Sequence, residues 1–97
     1  MTEADVRAAL HEVIDPEVGV NIVDLGLVRR VEIEDRTARI TMVMTSPACP
    51  LRDYLQDLIA STVALHVPDA QSVIVDIVDE PLWTPDMMSE DARRQLG

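Results

Sequence analysis

The hydrophobic period of the chain changes within one short stretch, and that change constrains the fold more than any other feature. Ala38, Ile40, Met42 and Met44 alternate with Arg39, Thr41, Val43 and Thr45, the two-residue repeat of a strand with one buried face. Beyond it, Leu51, Leu55, Leu58, Ile59 and Thr62 share one side of a helix. A strand therefore feeds a helix through Thr45-Ser46-Pro47-Ala48-Cys49-Pro50. Pro50 suits the first helical position, where a missing N–H costs nothing, and this puts Cys49 at the N-cap. A thiol there faces unpaired backbone N–H groups and the positive end of the helix dipole. Both favour the thiolate, the form that attacks electrophiles and binds metals. The competing reading is a buried cysteine acting as a small hydrophobe.

The remaining elements follow the same rules. Thr2 can cap a first helix whose stripe is Val6, Leu10, Val13 and Ile14. Asp15-Pro16 should end it, because a residue before proline is pushed out of the helical region. A loop, Pro16 to Asn21, leads through Leu25-Gly26-Leu27-Val28 into a first strand, where Val31 and Ile33 alternate with Arg30, Glu32 and Glu34. Glu34-Asp35-Arg36-Thr37 reads as a hairpin connection without the Asn-Gly signal. The second helix stops before Val67-Pro68, and Ser72 to Val78 is a β-branched third strand, apolar on both faces. Pro81 to Pro85 is irregular, and Ser89 can cap a last helix over Glu90–Leu96.

The order α-β-β-α-β plus a C-terminal tail predicts the α+β class: a small mixed sheet covered by helices. One domain over residues 1–97 is expected, with its core at about 3–79 and a Trp-containing tail at 80–97. The crossover from the second strand to the third leaves the strand order open. If the third strand lies at an edge, it invites pairing with another chain, so a homodimer is an expectation.

Phe is absent, and Tyr54 and Trp83 are the only aromatics, so Val, Ile, Leu, Met and Ala must build the core. A single cysteine excludes an internal disulfide and fits a reducing, cytoplasmic setting. No apolar run approaches the roughly 20 residues of a membrane helix, and Met1 to Asp5 lacks the basic start of a signal peptide. Eighteen acidic residues against eight basic ones give a net charge of −10. Arg29-Arg30 and Arg93-Arg94 stand among acids, so there is no basic patch of the kind nucleic acid requires.

Asp15-Pro16-Glu17, Asp24-Leu25-Gly26-Leu27-Val28, Thr45 four residues before Cys49-Pro50, and Pro81-Leu82-Trp83 occur in one order and spacing. In these motifs the chain closely resembles the small metal–sulfur (iron–sulfur) cluster assembly factors, which include SufT-like and PaaD-like proteins. The same domain opens some Mrp-type P-loop ATPases. The resemblance implies a non-catalytic scaffold, carrier or adaptor in iron–sulfur protein maturation, with assembly proteins and client apoproteins as partners. It makes Cys49 the functional thiol and sets Asp15, Glu17, Asp24 and Thr45 on motif positions near it. The tail lacks the cysteines that PaaD-like members often carry, and Gly-x-x-x-x-Gly-Lys is absent, so no P-loop activity is expected.

An iron–sulfur cluster normally takes four ligands, mostly thiolates, and this chain has one. His11 and His66 lack the spacing of a preformed metal site. No stably bound cofactor is expected in the monomer. A transient cluster ligated by Cys49 would be shared between chains, or with a partner or small thiol. An enzyme using Cys49 as nucleophile would need one of the histidines as its base. Asp15 and Asp24 either bind a cation or orient the thiol's partner, or they serve the chain itself, Asp15 ending a helix and Asp24 holding turn N–H groups. Glu17 reads as solvated. Gly26 answers a backbone need, a bulge or a close approach. Thr45 bonds within the thiol loop or ends the strand. Trp83 covers a core edge and anchors the tail, or faces a partner.

Overall fold

The computed structural model describes residues 1–45 and 51–96. The elements run α1 (Glu3–Leu10), β1 (Val28–Glu34), β2 (Thr37–Met42), α2 (Arg52–His66), β3 (Ser72–Ile77), a 3₁₀ turn at Pro85–Met87, and α3 (Glu90–Leu96). Among the described residues the sheet has three strands in the order β1-β2-β3. β1 and β2 form an antiparallel hairpin, and β3 returns parallel to β2 after α2. This is the expected α+β arrangement, and it settles the strand order: β2 is central.

The alternation in β2 explains its place. Ala38, Ile40 and Met42 are fully buried, and the in-register neighbours Val31, Val73, Val75 and Ile77 extend that face. Val6, Leu10, Leu55, Ile59 and Val63 from α1 and α2 belong to the same core. The other sheet face carries Arg30, Glu32, Arg39, Thr41, Ser72 and Asp76, with Arg39 and Asp76 paired at 3.8 Å. β3 is therefore not apolar on both faces. Its outer side offers only Ile74, set between Ser72 and Asp76.

Two boundaries differ from the sequence reading, and the expected hairpin connection is present. Thr2 caps α1 through a reciprocal pair with Asp5, but the helix ends at Leu10. The N–H groups of Glu12 and Val13 then bond three residues back, to Ala9 and Leu10, which tightens the chain out of the α-helix. Val13 is still turned into the core, whereas Ile14 is 46% exposed and bridges Asn21. At α2 the cap position falls on Leu51, without a side-chain cap bond, rather than on Cys49. Cys49 and Pro50 lie outside the described residues. The hairpin turn at Asp35 and Arg36 has φ of 48° and 67°. These are the paired positive values that a two-residue hairpin requires, met without Asn-Gly.

Candidate functional site

The C-terminal tail is strapped across the turn before β1. The Trp83 indole N–H donates to the Leu25 carbonyl at 2.7 Å, and the Ser89 N–H donates to the Asp24 carbonyl at 2.6 Å. Gly26 follows directly in the chain, with φ of 81°. A Cβ there would overlap the backbone of Met87, so the glycine meets both a left-handed conformation and a close approach. The Ser89 hydroxyl accepts the Ala92 N–H at 3.1 Å and starts α3, whose Ala92 is fully buried. Trp83, Met87 and Met88 pack against the core.

The acidic motif residues are held by local turns. Asp15 is 3% exposed, and its carboxylate accepts the Glu17 N–H at 2.9 Å, an Asx turn. Its carbonyl accepts the Gly19 N–H at 2.7 Å, and its own N–H donates to Val20 at 3.0 Å. Asp15 thus closes the loop over Pro16 and Glu17, and it does not end α1, which stops earlier. Glu17 itself is exposed. Among the described residues, no backbone N–H donates to the Asp24 side chain. Its carboxylate takes the Asn21 amide at 2.7 Å, while the Asn21 side-chain oxygen takes the Asp24 N–H at 2.9 Å. Asn21 was not among the residues singled out from the sequence, although the three-residue spacing of a capping pair was there to be read.

A cleft of about 250 Å³ opens where the C-terminal ends of β2 and β3 meet the start of α2 and the tail. Met44 and Thr45 line it from one side and Arg52 from the other. These residues bracket positions 46–50 in the chain, and so bracket Cys49. Ile77, Val78 and Asp79 continue the lining from β3, and Pro81, Leu82 and Trp83 form the tail wall. Among the described residues the surface is mainly apolar, and its charged groups are Arg52 and Asp79. Arg52 Nη2 donates to the Ile77 carbonyl at 2.8 Å, which ties the first turn of α2 to the end of β3. Leu82, 69% exposed, stands at the rim.

Of the predicted site residues, Thr45 and Trp83 meet in this cleft. Asp15, Pro16, Glu17, Asp24 and Gly26 belong to the two turns described above. Arg52 joins the site through its hydrogen bond to β3, which only the strand order makes legible. His11 caps the C-terminus of α1, and His66 is the last residue of α2. Among the described residues, no three His, Cys, Asp or Glu side chains are grouped to hold a metal ion. No helix there is long and apolar enough to cross a membrane.

Residues 3–77 match the protein family described as iron–sulfur cluster assembly protein. The Fe-S protein maturation auxiliary factor YitW of Bacillus subtilis (strain 168) is 43% identical over 94 residues, covering 96% of this chain and 91% of that protein. The Fe-S protein maturation auxiliary factor SufT of Staphylococcus aureus (strain USA300) is 43% identical over 86 residues, covering 88% of this chain and 97% of that one. A crystal structure of a domain of unknown function, DUF59, from Bacillus anthracis superposes with a TM-score of 0.95 at 38% identity. It covers 98% of this chain and 91% of that chain.

Proposed function

Since the chain belongs to the iron–sulfur cluster assembly protein family, we propose that it acts as a non-catalytic auxiliary factor in the cytoplasm. In this reading it assists transfer of clusters to client apoproteins through the thiol of Cys49. The observation that carries the reading is the cleft: its walls come from both chain segments that bracket Cys49, Met44–Thr45 and Arg52. A partner seated there lies against the residues that lead into and out of the thiol segment. The names of the relatives, maturation auxiliary factors, support the same role.

With one thiol per chain, a cluster held at Cys49 draws its other ligands from a partner, a second copy or a small thiol. Such a cluster is cargo in transit. Ligands contributed by a client favour its departure, because each client thiolate can replace a borrowed one. The partners are accordingly assembly proteins on one side and client apoproteins on the other.

The geometry gives little support to a nucleophilic enzyme. His66 lies fourteen residues along α2 from Arg52, roughly 21 Å at the helical rise per residue, so it stands far from the cleft. His11, which caps the C-terminus of α1, is likewise absent from the cleft lining.

The test is complementation. In cells lacking this protein, the activity of an iron–sulfur client enzyme should return with the natural chain and stay low with Cys49→Ser. Circular dichroism of the variant should be unchanged. Full rescue by a folded Cys49→Ser protein would replace this reading with that of an adaptor carrying a structural cysteine.

A further inference from the structure

β3 is an edge strand of the sheet, and an open edge offers unpaired backbone groups to any second strand. Its bonds to β2 are made by alternate residues: the Ser72 N–H reaches Arg36, and the Val78 N–H donates to Met42 at 2.9 Å. The backbone groups of Val73, Val75 and Ile77 therefore point outward along the edge. Two of these outward carbonyls are already occupied. Gln56 Nε2 donates to Val75 at 3.3 Å and Arg52 Nη2 to Ile77 at 2.8 Å.

The two donors stand four residues apart on α2 and the two acceptors two residues apart on β3. Four helical residues rise about 6 Å and two strand residues about 6.6 Å, so one helix face can address successive edge carbonyls. The next position on that face, Ala60, carries no donor.

We infer that Arg52 and Gln56 form an edge guard that keeps β3 from pairing with the same strand of a second chain. Strand pairing across this edge would have to displace both side chains before its own carbonyl bonds could form. The homodimer expected from the apolar sequence of β3 is thus opposed by α2, and a cluster shared between two copies would have to use another surface.

The experiment compares the natural protein with Arg52→Met/Gln56→Met, which keeps an unbranched apolar stem and the helix propensity but removes the donors. Light scattering and backbone amide exchange are followed as protein concentration rises. In the natural protein, exchange at Val73, Val75 and Ile77 should be independent of concentration. The double variant should dimerise, with those three amides at least tenfold more protected at high concentration than at low. Adding Ile74→Lys should reverse this, because an edge lysine resists pairing. Concentration-dependent protection of the three amides in the natural protein would overturn the inference, whatever the variant does. So would a double variant that keeps the native circular dichroism and stays monomeric. If the double variant does not fold, Gln56→Met alone is read in the same way.

Discussion

The indole N–H of Trp83 is bonded to the carbonyl oxygen of Leu25 at 2.7 Å, across fifty-eight residues of chain. This one bond joins the tail wall of the cleft to the turn that precedes β1. Trp83→Phe keeps most of the apolar contact and removes the donor, so it should lower stability by about 1–2 kcal/mol. A urea titration followed by far-ultraviolet circular dichroism checks this, and an unchanged midpoint would show that the tail is held by packing alone.

Two glycines with nearly equal φ give a contrast. Gly19 has φ of 79° and open space around its Cα, whereas Gly26 has φ of 81° and the backbone of Met87 against it. Gly19→Ala should cost about 1 kcal/mol from conformation alone. Gly26→Ala adds a backbone collision that no side-chain rotation relieves, and should cost about 3 kcal/mol or more. Trp83 is the only tryptophan, so its fluorescence reports tail displacement in the Gly26 variant directly.

Asp15 is buried with its carboxylate on the Glu17 N–H. Asp15→Ala leaves that donor without its partner and should destabilise by about 1–3 kcal/mol. Asp15→Asn retains an acceptor oxygen and should recover most of the loss. Thermal or urea unfolding of the pair distinguishes this turn-holding role from a charge requirement. If Asn and Ala are equally stable but equally inactive in complementation, the carboxylate acts on something other than its own turn.

Ile59 and Leu55 are the fully buried anchors of α2 on the sheet. Ile59→Ala should cost about 2–5 kcal/mol by transfer and cavity terms. Leu65, 78% exposed on the same helix, should tolerate Leu65→Ala within about 0.5 kcal/mol. Equal losses at the two positions would mean that the helix buries a different face.

The elements whose periodicity was strong were legible in the sequence. The alternation of β2, the Leu55 and Ile59 face of α2, and the Ser89 cap of α3 each follow from one local rule. The family resemblance rested on motifs spread from Asp15 to Trp83, and the match over residues 3–77 bears it out. What escaped was set by contacts distant in sequence or by backbone choices without a side-chain signature. The early end of α1 put Ile14 in solvent because the chain tightened after Leu10, well before the proline that was expected to stop it. The Asp24 carboxylate takes the Asn21 side-chain amide three residues away, a pairing that the turn reading did not single out. The guarding of β3 by Arg52 and Gln56 could not be read until the parallel placement of β3 beside β2 was known. Gly26 showed that the chain needed close approach or special conformation there, but only the tail's position reveals that Met87 is the neighbour.

The central claim is that Cys49 is a working thiol, and its alkylation rate tests that claim most directly. The rate is measured against pH for folded and urea-unfolded protein. The account predicts faster reaction in the folded state at neutral pH, with a midpoint below the roughly 8.5 of a free thiol. A thiol that reacts only after unfolding would contradict it and make Cys49 part of the structure.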